Sequence, residues 1–127
     1  MPGTARRGLL AALLLVAAAP TSAEWLKLDE HAGAFLYYDP ETVAKEGVIR
    51  RLFTLQDRKS PDNGVLSRRA QWEFNCKESE VRLLAFRSYA DQMGIGKVLA
   101  RTDNPGPWEP VVPRTTHETL LRLACAR

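Results

Sequence analysis

The sequence predicts an α+β domain: an antiparallel sheet of about six strands, a C-terminal helix packed on one face, and one disulfide. Three observations carry that expectation. Residues Ser67 to Cys76 alternate cleanly, with Arg68, Ala70, Trp72, Phe74 and Cys76 on one face and Arg69, Gln71, Glu73 and Asn75 on the other. Thr115 and Glu118 form a capping box ahead of Leu120, Leu121, Ala124 and Cys125 at helical spacing. Cys76 and Cys125 are the two cysteines of the chain, one in the best strand and one in the helix.

The elements follow in order. Arg6 and Arg7 precede the apolar run Leu9 to Ala19, and Thr21-Ser22-Ala23 supplies small residues at a cleavage point. Residues 1–23 therefore read as a secretory signal, leaving residues 24–127 as a single domain. The competing membrane anchor needs about 20 apolar residues, more than this run holds. No cysteine stands at the cleavage point, so lipid attachment there is not expected, and no later stretch is long and apolar enough to span a bilayer.

Trp25 to Asp29 reads as a first strand, His31-Ala32-Gly33 as a turn, and Phe35 to Asp39 as an aromatic-rich strand stopped by Pro40. Asp39 to Thr42 reads as a turn or one helical turn, and Lys45 to Gly47 as another turn. Val48 to Asp57 is a strand and Lys59 to Gly64 a loop rich in turn residues. Glu80 to Tyr89 and Lys97 to Thr102 complete the strands, separated by a glycine-bearing loop from Gln92 to Gly96. Pro107, Pro110 and Pro113 around Trp108 suggest an extended crossing segment before the helix.

Register is expected from the alternation. If paired numbers in the first long hairpin sum to 125, Leu55 faces Ala70, Phe53 faces Trp72, and Asp57 opposes Arg68. If those in the next sum to 155, Trp72 faces Leu83, Phe74 faces Val81 and Ala70 faces Ala85. Both put apolar residues together on one face. Leu52, Leu84 and Phe86 would then form an apolar strip on the opposite face, read either as scattered surface hydrophobes or as a homodimer contact.

An exported chain meets an oxidising compartment, where two cysteines make one bridge. Chain-entropy reasoning gives roughly 4 kcal/mol for closing so long a loop. Metal binding by Cys76 and Cys125 with His31 and His117 is the rival reading, but ligand spacings are absent. No cofactor motif, nucleophile elbow, metalloprotease helix or phosphate loop occurs, so no catalytic residue is expected and the chain is read as non-enzymatic. His31 and His117 read as a turn residue and a first-turn helix residue.

All fifteen acidic residues lie beyond the signal, and two of the eighteen basic residues lie within it, leaving a net charge of +1 on the mature chain. That balance argues against nucleic acid as a partner. Locally the balance differs. Arg50, Arg51, Arg58, Lys59, Arg68 and Arg69 face only Asp57 and Asp62, and Arg87 extends the group. Such a basic hairpin is either a solvated surface or a docking patch for an acidic partner.

Several ordered motifs point further. They are Trp25 at the start of the mature chain, Tyr37-Tyr38-Asp39-Pro40, Leu55-Gln56-Asp57, and Trp72-Glu73-Phe74-Asn75-Cys76. Gly94-Ile95-Gly96-Lys97-Val98, Trp108 through Pro113 and the helix bearing Leu120, Leu121 and Cys125 complete the set. The chain resembles the surface-adhesin protein E family of Gram-negative bacteria over nearly its whole mature length. The resemblance implies the same sheet-and-helix fold, the Cys76–Cys125 bridge, dimerisation, and binding to extracellular-matrix glycoproteins. The expected location is outside the cytoplasm: periplasmic, secreted or on the cell surface. A periplasmic protein with a structural or small-ligand role is the second reading.

Overall fold

The computed structural model describes Gly3 and residues 24–126. Gly3 apart, the expected signal segment lies outside the described residues. The chain forms β1 (Leu26–His31), β2 (Ala34–Tyr38), β3 (Ala44–Glu46), β4 (Ile49–Asp62), β5 (Val65–Asn75), β6 (Glu80–Tyr89), β7 (Val98–Thr102), β8 (Glu109–Pro110) and α1 (Thr116–Cys125). One sheet holds all eight strands, in the order β1-β2-β4-β5-β6-β7, with β3 against β4 and β8 against β6. Every pairing is antiparallel. The expected six-strand sheet is this main path. The two-residue β8 and three-residue β3 exist because a neighbouring strand offers them hydrogen bonds, which local sequence does not announce.

The helix packs on one face, as expected. Leu120 and Ala124 join Leu52, Phe74 and Val81 in the core, all at 3% exposure or less. Trp72, Tyr38, Val43 and Leu121 pack around them. The Thr115 hydroxyl accepts the Glu118 N–H, while the Glu118 carboxylate accepts the N–H of Arg114, one residue before the cap. The box therefore closes with a slightly longer reach than its standard form. Cys76, just past β5, is bonded to Cys125 in the last turn of α1, with Cα atoms 5.8 Å apart. The bridge fastens the helix to the sheet at the Phe74 end.

The first long hairpin departs from the expected register. Lys59 to Asp62 belong to β4, and the turn is only Asn63-Gly64, both at positive φ. That is the two-residue turn whose twist suits a hairpin, and Asn-Gly is its favoured sequence. It pairs Asp62 with Val65, and an irregularity between Asp57 and Asp62 then shifts the ladder. Beyond it Leu52 faces Trp72, Thr54 faces Ala70 and Asp57 faces Ser67. Paired numbers sum to 124, not 125. A one-residue slip exchanges the faces of a strand. Leu52 and Thr54 thus lie under the helix, where the Thr54 hydroxyl accepts the Trp72 indole N–H at 2.9 Å. Phe53 and Leu55 lie on the other face.

The second hairpin keeps its expected register only near the disulfide. Trp72 faces Leu83 and Phe74 faces Val81, but a bulge between Gln71 and Trp72 puts Ala70 opposite Phe86 rather than Ala85. These two shifts dissolve the expected dimer strip. Leu52 is wholly buried in the core. Phe86 is turned to the helix side, with the Arg68 guanidinium 3.8 Å from its ring centre. Leu84 occupies the bulge. The three side chains do not share an exposed face.

Candidate functional site

The sheet face away from α1 is organised in rows across the strands. In the row nearest the disulfide, Glu73 is 4% exposed and accepts from two arginines. Arg51 Nε donates to its Oε2 at 2.7 Å, and Arg82 Nε donates to its Oε1 at 2.7 Å. Arg51 also reaches Glu46 on β3, and the Arg82 guanidinium lies over the Trp108 ring. The hydrogen bond to Glu73, then that to Glu46, holds the Arg51 pKa above its ordinary value.

At the opposite end this face is covered by the loop after β6. Ser67, fully buried, donates its hydroxyl to the Asp91 carbonyl at 2.6 Å and accepts the Gly94 N–H at 2.8 Å. The Asp57 carboxylate accepts the Met93 N–H. Gly96 has a φ of +89°, and a side chain there would collide with the Asp91 carboxylate. This pinning lets the loop bury Leu55 to 1% exposure.

An open cleft of about 230 Å³ lies between these two ends, lined by Phe53, Arg69, Gln71, Ala85, Phe86, Arg87 and Asp103. Arg69 on β5 stands directly opposite Arg87 on β6, and Arg87 directly opposite Arg101 on β7. Three arginines thus sit side by side on adjacent strands. Directly opposed like charges destabilise a sheet, yet among the described residues none of the three forms a salt bridge. The Arg69 guanidinium is 4.3 Å from the Phe53 ring centre, and its Nε is buried without an acceptor.

The six basic residues singled out in the sequence do not form one patch. Arg50 lies at the far end of β4 and donates to the Gly47 and Ile49 carbonyls. Arg51 is engaged by Glu73 and Glu46. Lys59 pairs with Glu30 at 2.8 Å, and with Lys27 flanks the Phe35 ring. The Lys59 bond, then that from Lys27, holds the Glu30 pKa below its ordinary value. Arg58 and Arg68 are on the helix side, where burial lowers the Arg68 pKa. Arg69 alone of the six lines the cleft, which Arg87 lines with it, and Arg101 stands beside Arg87 on β7. Arg101 stands outside the charge-dense segment of the sequence, and only the β6–β7 register reveals its place.

His31 lines an open cleft of about 250 Å³ with Asp29, Gln56, Arg58 and Thr116. It makes no side-chain hydrogen bond to Asp29 among the described residues. His117 is half-buried, edge-on to Trp72 at 4.7 Å, and burial lowers its pKa against a smaller opposing pull from Glu109. Among the described residues no group of three or more His, Cys, Asp or Glu side chains converges on a metal position. No helix there is long and apolar enough to cross a membrane.

Fold and face together define a disulfide-stapled sheet-and-helix domain with a row of three arginines across one face. The chain belongs to the surface-adhesin protein E family, whose model matches residues 25–126. Solved structures agree in fold. Crystal form II of Haemophilus influenzae protein E is 18% identical, covers 80% of this chain and 96% of its own, and superposes with a TM-score of 0.58. Protein E from non-typeable Haemophilus influenzae is 17% identical, covers 83% and 86% of the two chains, and gives a TM-score of 0.54. No curated protein matches the chain in sequence.

Proposed function

We propose that this protein is an exported, non-enzymatic adhesin-like protein that holds an acidic partner of the extracellular-matrix glycoprotein kind on its cationic sheet face. The single observation that carries this reading is the row Arg69–Arg87–Arg101, in which like charges are lined up across three strands without an acidic counterpart in ion-pair contact among the described residues. A sheet tolerates such a row at a cost in stability, and an acidic partner offsets that cost. Family membership supports the same reading, since the family is one of surface adhesins. A positive face of this kind speeds encounter with an acidic partner, and its effect weakens with salt.

Two measurements test the proposal. Protease added to intact cells should degrade the protein, and degradation only after the outer envelope is opened would place it away from any host partner. Purified chain should bind an immobilised acidic matrix glycoprotein more weakly as salt rises. Binding that ignores salt would remove the electrostatic basis of the reading.

A further inference from the structure

The shape of the cationic cleft narrows the chemistry of what it holds. Adjacent strands lie about 4.8 Å apart, so three arginines opposed in register spread their charges over roughly 10 Å in a straight row. The row runs across the strands, from β5 to β7. Beyond β7 the sheet order ends, so the row opens at a sheet edge. Such a line fits an extended polymer with anionic groups at short intervals better than a compact anion. Guanidinium groups bind sulfo and carboxylate oxygens in a two-pronged fashion. Stacking of Arg69 on Phe53 fixes one of them in orientation.

Two further features favour a sugar chain over an acidic peptide. Gln71 lies in the cleft between the arginine row and the Glu73 network. Its neutral amide offers donors and an acceptor of the kind that sugar hydroxyls use. The cleft is also poor in apolar seats, because both aromatic lining residues are covered by a guanidinium, Phe53 by Arg69 and Phe86 by Arg68, and the remaining apolar lining residue is the small Ala85. Peptide side chains or the acyl chains of a lipid would find little to bury. Asp103 is the one acidic lining residue, set against Arg69 and Arg87 in the lining and Arg101 beside them, so the cations outnumber it.

We infer that Arg69, Arg87 and Arg101, with Gln71, form a binding site for a linear sulfated glycan. The inference rests on the adhesin-like reading and names the part of an acidic glycoprotein partner that the face would grip. The test is calorimetric titration of the full mature chain with a heparin octasaccharide at about 0.05 and 0.15 M salt. Arg87→Glu and Arg101→Glu change exposed side chains and replace opposed like charges by opposite ones, so their melting temperatures should equal or exceed the parent's. Each should weaken binding about tenfold or more, the effect of losing one charge-assisted contact. Lys77→Glu, in the turn at the other end of β5, makes the same change in net charge and should alter affinity by no more than about twofold.

Equal losses in all three variants would show a response to overall charge and overturn the site. So would equally tight binding of unsulfated hyaluronan, an acidic peptide or single-stranded DNA. If heparin fails to bind while an acidic matrix glycoprotein still does, the glycan site is refuted and the adhesin-like reading stands. If neither binds, both fall.

Discussion

Replacing Cys76 and Cys125 together by alanine probes the link between sheet and helix. The bridge closes a loop with a sequence separation of 49. For a loop of that length the chain-entropy relation gives a loss of about 14 cal/mol/K from the unfolded ensemble, or about 4 kcal/mol at 25 °C. Domains of this size are stable by only about 5–15 kcal/mol. With an unfolding entropy near 0.2 kcal/mol/K for ~100 residues, the melting temperature should fall by roughly 18 °C. Thermal and urea unfolding by circular dichroism would measure it. The dependence of stability on urea should steepen, because the unbridged unfolded chain exposes more surface. Leu120 and Ala124 still pack on Phe74 and Leu52 without the bridge, so the helix should remain docked in the cold. A fall of less than ~1 kcal/mol with an unchanged urea slope would refute the reasoning, since the loop would then not be the constraint on the unfolded state.

Three further outcomes follow from the same structure. Glu73→Ala should cost about 2–4 kcal/mol in urea unfolding. The lower end is favoured, because Arg51 and Arg82 are 35% and 29% exposed and water can reach them; an effect below ~0.5 kcal/mol would show that the Glu73 network is not structural. Ser67→Ala should cost about 1–3 kcal/mol and speed hydrogen exchange at Gly94, whose N–H loses its acceptor; unchanged exchange would mean that the loop is held elsewhere. His117 has a folded pKa below its unfolded value of 6.5. Protonation therefore favours the unfolded chain, so its contribution is complete above about pH 6.5, declines as pH falls towards the folded value, and is flat below that. His117→Phe should remove this part of the stability–pH curve, and an identical curve in the variant would contradict the assignment.

Much of the fold was legible in the sequence because local chemistry dictated it. The alternation of Ser67 to Cys76 set β5 and its helix-side face. The Thr115–Glu118 box began the helix, and the two cysteines joined them. The register of β4 was not legible. Ile49, Leu52, Phe53 and Leu55 occupy both parities, so periodicity alone does not choose a face, and Asn63-Gly64 was absorbed into a longer loop instead of being given its tight turn. That single shift moved Leu52 from an expected dimer surface into the core. The site was legible only in part. Charge density read along the chain found Arg69, but it grouped that residue with Arg50, Arg58 and Arg68 on the other face and with Arg51 and Lys59, which have acidic partners of their own. Arg101 joins Arg69 through two successive strand pairings, and no local signal records that neighbourhood.

The central claim is that the functional surface is the row across β5, β6 and β7 rather than the tip of the basic hairpin. Amide chemical shifts during titration with the heparin octasaccharide locate the contact directly. The account predicts the largest changes at Arg69, Gln71, Arg87 and Arg101. Changes concentrated at Arg58, Lys59 and Arg68, with the row unmoved, would contradict it.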